Sequence, residues 1–362
     1  MTSPELSPQS TPPSTPSLTS ATPDVRLTQI IDWLSTLVDH PTLAESIRPA
    51  SADASFRRYF RIDAANSGDA KTLIVMDAPQ PQEDVRPFIS IAALFHNAGM
   101  STPDILAQDV ERGFLLLSDL GPTTYLQQLN DEKADPNALY LDAIDALVTM
   151  QTHSKPDVLP EYDRAFLSKE LHIFSEWYIG KHLNVTLTTE QSASLDGVFN
   201  VILANNMAQP QVYVHRDYHS RNLMVLPNGN PGVLDFQGAL YGPITYDLAS
   251  LFRDVYRSWD EAQVLDWVIR YWERAKRVGL PVAPDIDTFY RDFEYIGLQR
   301  HLKILGLFAR LNYRDGKPEY MQHIPQVMDY VRKAALRYRE LIPLVRLIDK
   351  LEDTPQKIGY TF

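Results

Sequence analysis

The chain of 362 residues has no cysteine, which excludes a disulfide framework, a thiolate metal site and a cysteine nucleophile. It has no apolar run long enough to span a bilayer. A cationic and apolar leader is also missing, because residues 1–24 are dominated by Ser, Thr and Pro. That composition buries too little apolar surface to offset ordering entropy, so a disordered tail is expected there. Positive charge is in deficit. The formal net charge is −12 and no basic stripe is present, which argues against a nucleic-acid partner. No internal repeat is visible. The expectation left by these absences is a cytoplasmic monomer with neither a membrane nor a nucleic-acid partner.

What is present indicates a full core. The hydrophobic content is 44%, and the length suggests two lobes. Residues 25–43 place Ile30, Ile31, Trp33, Leu34, Leu37 and Val38 at helical spacing, predicting an amphipathic helix. A hairpin follows over 51–62 and 72–76. After a helical run at 85–97, residues 113–117 read as a buried strand that ends in the breaker cluster 118–122. Beyond Thr123 the pattern is mostly helical, with runs at 138–153, 166–182, 193–207, 249–256 and 261–278.

The most informative stretch is His215-Arg216-Asp217-Tyr218-His219-Ser220-Arg221-Asn222, followed by Asp235-Phe236-Gln237. Between them, Leu223 to Leu226 and Gly232 to Leu234 read as two short strands joined by Pro227-Asn228-Gly229-Asn230, which is strong turn chemistry. A tight hairpin brings its ends together, so Asn222 and Asp235 are expected side by side. Kinases hold a nucleophilic hydroxyl and metal-bound ATP with this set. In that template Asp217 accepts the hydroxyl proton, while Asn222 and Asp235 hold Mg²⁺, a hard cation suited to oxygen ligands.

The hairpin at 51–62 falls where kinases fold a loop over the nucleotide. Small residues up to Ser55 let backbone N–H groups approach phosphate, and Arg57, Arg58 and Arg61 add positive charge. An ordinary edge hairpin with solvated arginines fits the same residues. The kinase lysine that pairs with ATP phosphates should end the strand at 73–75, yet Met76 and Asp77 stand there. Its partner Glu is replaced by Phe88 and Ser90. Both halves of that ion pair are absent together, as their mutual dependence in a closed cleft requires. Lys71 or one of the three arginines is left to hold phosphate.

Residues 237–249 have no activation-loop length and run quickly into a helix headed by Asp247. The chain here resembles the aminoglycoside phosphotransferase and choline kinase superfamily. That resemblance implies an α+β, bilobal, protein-kinase-like fold, with a small N-terminal lobe of antiparallel sheet and a larger, mostly helical C-terminal lobe. It divides the chain into a nucleotide-binding lobe at 25–117, a hinge at 118–122 with Ser118 and Leu120 beside adenine, and a catalytic and substrate-binding lobe at 123–362. It gives Asp247 a supporting hydrogen-bond role, although a plain helix N-cap suits Asp equally well.

Residues 289–312 form an apolar helix punctuated by Asp292, Glu294, Gln299, Arg300, His301, Lys303 and Arg310. This is either a solvated face or a substrate-facing surface. His215 to Met224, Leu234 to Ala239 and Gly297 to Lys303 together look like the anomeric kinases of cell-wall recycling. Those enzymes phosphorylate N-acetylmuramate and N-acetylglucosamine at C1 with ATP. The resemblance implies ATP, Mg²⁺ and an amino-sugar substrate. Asp217 would be the base, helped by His215 and Arg216. Ser55, Arg57 and Arg58 would lie at the nucleotide, and His219, Arg221, Arg300, Lys303 and Arg310 at the sugar. His215 is expected to brace the loop, and Arg216, His219 and Arg221 stay unranked between substrate contact and transition-state charge. A kinase for an aminoglycoside, choline or homoserine, and a nucleotide-binding regulator without transfer activity, remain as alternatives. The missing activation segment disfavours a protein kinase.

Overall fold

The computed structural model describes residues 24–52, 56–65 and 71–352. The Ser/Thr/Pro-rich stretch up to residue 23 and Ser55 lie outside them. Helix α1 (Val25–Ser35) opens on Asp24, whose carboxylate accepts the Leu27 N–H, a good N-cap. It stops at Thr36 rather than reaching residue 43. Ile30, Trp33 and Leu34 are buried, whereas Val38 is 89% exposed. Pro41 then biases the chain toward extended backbone.

The N-terminal sheet contains β1 (Thr42–Ala52), β2 (Arg58–Ala64), β3 (Thr72–Asp77), β4 (Ile105–Asp109) and β5 (Phe114–Ser118). They run antiparallel in the order β1-β2-β3-β5-β4. Strand alternation sends Phe60, Ile62, Leu73, Val75, Phe114 and Leu116 toward α1, where they form a small core with Ile30, Trp33 and Leu34. Met76, Leu115 and Leu117 point the other way, toward α2 (Arg86–Asn97), into a core continuous with the helical lobe. Strand β4 has no counterpart in the sequence reading. It is an edge strand with one neighbour and little buried surface, so it lacks an alternating apolar signature.

The helical lobe begins with α3 (Tyr125–Leu129), α4 (Pro136–Thr152) and α5 (Arg164–Ile173). The run at 166–182 is not one α-helix, because α5 passes into a π-helical segment, Phe174–His182. Helix α6 (Thr189–Ala208) leads to four short strands: β6 (Gln211–Val214), β7 (Leu223–Met224), β8 (Gly232–Val233) and β9 (Leu240–Pro243). Strands β6 and β9 pair, as do β7 and β8. Helices α7 (Tyr246–Phe252), α8 (Glu261–Arg277), α9 (Ile286–Asp315), α10 (Ile324–Arg337) and α11 (Ile342–Leu351) complete the lobe.

The spine of the lobe is α9, with 30 residues. It lies hard against the junction of α5 and the π-helical segment. A Cβ on Gly306 would sit 2.3 Å from the Ile173 carbonyl oxygen, so only glycine allows this approach. The contact brings the polar middle of α9 beneath the loop that joins β6 to β7.

Candidate active site

The β6–β7 loop carries His215 to Asn222, and the β7–β8 hairpin returns the chain to Asp235. Asn222 Nδ2 donates to the Asp217 carbonyl at 3.0 Å and lies 3.5 Å from Asp235 Oδ2. The hairpin therefore does set the two side chains together. With its amide nitrogen so engaged, Asn222 has its carbonyl oxygen to present beside the Asp235 carboxylate. Gln237 Nε2 holds Asp235 Oδ1 at 2.6 Å. One amide and one carboxylate oxygen fit Mg²⁺, which takes few protein ligands and completes its shell with water and phosphate. Two site residues adopt left-handed backbone, Arg216 at φ 78° and Asp235 at φ 62°. Such conformations persist only where surroundings over-determine them.

Those surroundings are explicit. Asp247 lies inside α7, one residue beyond its start, and its carboxylate accepts the backbone N–H groups of His215 at 2.7 Å and Arg216 at 2.9 Å. Thr245 holds the N-cap position, so the supporting role describes Asp247 and the capping role does not. Burial pushes its carboxyl up to about 7, against the pull of the two N–H groups. His215 Nε2 donates to the Leu234 carbonyl at 3.0 Å, and its Nδ1 accepts the Asp217 N–H at 3.2 Å. Burial holds this imidazole down at about 4. A neutral ring with both nitrogens engaged is a strut between the two loops. Asp254 accepts the Ser220 N–H and hydroxyl from behind.

Below the loop is a buried ionic network that the sequence reading did not contain. Glu170 of α5 receives Arg216 at 2.6 Å and Lys303 Nζ at 3.0 Å on one oxygen. Its other oxygen accepts from Gln299 at 3.1 Å and from the Tyr162 hydroxyl. Arg300 donates to the Arg216 carbonyl at 2.8 Å and lies 3.6 Å from Asp217 Oδ1. Arg300 and Lys303 thus point inward to the loop, and Arg216 is spent on Glu170 beneath it. Arg300 and Lys303, expected at the sugar, and Arg216, left unranked between substrate contact and transition-state charge, all have partners inside the fold. The available signal for Glu170 was a carboxylate set between Leu167 and Leu171 on an apolar helix face, where burial demands partners.

Asp217 faces the cleft, with its side chain 46% exposed. Desolvation raises its carboxyl, but Arg300, Lys303, His219 and Arg216 outweigh it and hold the group well below the usual carboxylate range.

The nucleotide half divides the three arginines. Arg58 lies on the α1 face of the sheet, where its Nε donates to Asp77 at 2.9 Å and its guanidinium covers Phe60. It faces away from the cleft, which removes it as a phosphate contact. Arg61 is tied to Asp119, just past β5, at 2.6 Å, with Thr72 on the same carboxylate. Of the three, Arg57 reaches the Asp235 carboxylate, 3.6 Å from its Oδ1. At the end of β5, the Ser118 hydroxyl accepts the Asp104 N–H at 2.8 Å. Leu120 packs over Gly232, where an added Cβ would meet it at 2.9 Å.

Arg221 is exposed and lies 4.7 Å over the Tyr256 ring, which His219 meets edge-on at 5.5 Å. Both stand beside Asp217 on the same loop. Arg310 does not join them. It is ten residues beyond Arg300 on α9, roughly 15 Å along the axis, in the field of Arg314 and Asp315. Among the described residues, no cluster of three or more His, Asp and Glu side chains is placed to hold a metal, and no helix is long and apolar enough to cross a membrane.

A family model described as the phosphotransferase enzyme family matches residues 46–281. The N-acetylmuramate/N-acetylglucosamine kinase of Neisseria meningitidis serogroup B is 45% identical over 340 residues, covering 93% of this chain and 99% of that protein. The protein of the same name from Pseudomonas aeruginosa is 45% identical over 336 residues, covering 91% and 97%. Among solved structures, choline kinase LicA from Streptococcus pneumoniae superposes with a TM-score of 0.59 at 13% identity, covering 84% of this chain and 98% of that one. ADP-bound aminoglycoside phosphotransferase APH(2'')-Ib gives 0.57 at 12% identity, covering 86% and 99%. Likeness at such low identity concerns the fold, and it is the kinase-like α+β fold expected from the sequence. Matched over most of its length by the family model and at near-full length by the two kinases, the chain belongs to the phosphotransferase enzyme family.

Proposed function

We propose that this protein is a kinase transferring the γ-phosphoryl group of ATP to the anomeric C1 hydroxyl of N-acetylmuramate and N-acetylglucosamine. The observation that carries the reading is 45% identity, over nearly the whole chain, to proteins bearing that kinase name. The loop geometry supports it at the level of atoms. Asn222 and Asp235 are the oxygen donors for Mg²⁺. The chemistry Mg²⁺ supplies when bound is neutralisation of charge on the phosphates. Ser118 and Leu120 border the adenine position at the hinge.

Asp217 accepts the C1 hydroxyl as a hydrogen-bond donor and aims its oxygen at the γ-phosphorus. A bond forms between that oxygen and phosphorus, the bond to the bridging oxygen breaks, and ADP leaves with the electron pair. Asp217 takes the hydroxyl proton. Because its carboxyl is held well below the usual range, it is a weak base, and the proton moves late, as O–P bonding acidifies the hydroxyl. This agrees with a loose transition state in which positioning outweighs basicity. Arg221, an exposed cation of the same loop, offers its guanidinium to the carboxylate that N-acetylmuramate carries and N-acetylglucosamine lacks.

The test is a panel of sugars assayed for phosphate transfer with ATP, including N-acetylmuramate and its C1-reduced form. Transfer to the first and none to the second is expected. Equal transfer to both would remove the anomeric hydroxyl as the acceptor.

A further inference from the structure

The position that supplies a phosphate-binding lysine in kinases holds no usable charge here. Met76 is buried in the core. Asp77 points to the opposite face, where Arg26 Nε and Arg58 Nε hold its two oxygens at 2.8 and 2.9 Å. The helix that should carry the partner glutamate offers Phe88, whose ring packs on Phe236 with centroids 4.7 Å apart, and the exposed Ser90. An aromatic contact therefore seats α2 against the loop that carries Asp235, and the ion pair that joins the corresponding strand and helix in protein kinases has no counterpart at these positions.

A different cation and a different anion meet at the mouth of the cleft. Arg57, one residue before β2, has its Nε 3.9 Å from Glu83 Oε2, and Glu83 precedes α2. The other Glu83 oxygen accepts the Phe56 N–H at 3.3 Å. The far end of the same guanidinium lies 3.6 Å from Asp235 Oδ1. The Arg57 side chain is only 13% exposed, so it spans the gap between the two carboxylates rather than extending into solvent. A guanidinium has donors on both edges, and it can keep one carboxylate while exchanging the other for phosphate oxygens.

We propose that Arg57 is the triphosphate-binding cation of this protein and that Glu83 is its positioning residue. The pair does the work of the missing lysine and glutamate from one strand and one turn away. The inference rests on the nucleotide-dependent reading above and deepens it. Without nucleotide, Arg57 neutralises Asp235; with nucleotide, it turns to the phosphates and frees Asp235 for the metal. The ligand it recognises is a polyphosphate, with no part in reading the base.

The experiment is equilibrium binding of Mg-ATP and of adenosine, which lacks phosphate, to the full chain. Arg57→Ala is expected to weaken Mg-ATP binding by about tenfold to a hundredfold, the range for a hydrogen bond to a charged group, and to leave adenosine binding unchanged. Glu83→Gln should act in the same direction and less strongly, and Arg57→Lys should recover part of the loss. Equal weakening of both ligands, or none of either, overturns the inference. A parent chain that transfers phosphate to no sugar, yet binds Mg-ATP in an Arg57-dependent way, overturns the sugar-kinase reading alone. A parent chain that binds no ATP overturns both.

Discussion

Removing the charge of Glu170 tests whether the site rests on its buried network. The carboxyl is nearly inaccessible. Burial alone would raise its pKa, but Lys303 and Arg216 hold it down at about 2 from an ordinary 4.5. That difference corresponds to about 3 kcal/mol of preference for the charged form, within the range seen when one partner of a buried pair is deleted. Glu170→Gln keeps the shape and leaves two buried cations short of an anion. Denaturant unfolding should show a loss of about 3 kcal/mol, or roughly 4 °C in Tm for a chain this long. Since the folded-state pKa is depressed, the stabilisation is fully present above about pH 4.5 and fades as pH falls toward 2. The parent and variant should therefore converge in acid. A loosened Arg216 misplaces Asp217, so kcat should fall on the order of tenfold to a hundredfold, with little change in KM for ATP. Adding Lys303→Met removes one orphaned cation and should recover about 1–2 kcal/mol. Strict additivity of the two substitutions, or a Glu170→Gln protein as stable as the parent, would refute the reasoning.

Three further outcomes are expected. Asp217→Asn should lower kcat by on the order of a thousandfold and should also lower stability at neutral pH, because the cations that depress its carboxyl pKa stabilise the charged form in the fold; near-normal turnover removes it as the residue that receives the hydroxyl. For Asp247, a folded pKa raised to about 7 means that the penalty for a buried charge is absent near pH 4 and grows to about 4 kcal/mol above pH 7. The stability of the parent relative to Asp247→Asn should thus decline as pH rises between those limits, and a flat difference contradicts the raised value. Gly306→Ala gains about 1 kcal/mol of helix propensity, but its Cβ would press on the Ile173 backbone, and overpacking costs about 1–3 kcal/mol or more. Net destabilisation should appear in the denaturant midpoint, and a stabilised variant would show that α9 has room to move.

The pairing of Asn222 with Asp235 was legible because it is local. Asn222 and Asp235 are joined by one hairpin whose turn residues announce it, so their juxtaposition follows from short-range geometry. His215 as a strut was legible for the same reason. The sugar side was not. Arg300, Lys303 and Arg310 share a helix and look alike in sequence, yet two turn inward to brace the loop and the third lies about three turns away. The arginines before and within β2 show the same limit. Arg57 and Arg58 are neighbours, and strand alternation sends Arg58 to the back of the sheet.

By itself, the sequence determined the classes of chemistry open to the chain and one local arrangement: no thiol chemistry is possible, and a hairpin joins the amide of Asn222 and the carboxylate of Asp235 beside Asp217. Those properties reside in residue type and in contacts a few positions apart. The tertiary structure decided which charges face the cleft and which support it. Glu170 is 46 residues from Arg216 and 129 residues from Gln299, and only the packing of α9 against α5, permitted at Gly306, brings them to one point. Burial then makes the pairing obligatory, because a charge far from water must find its partner inside the fold.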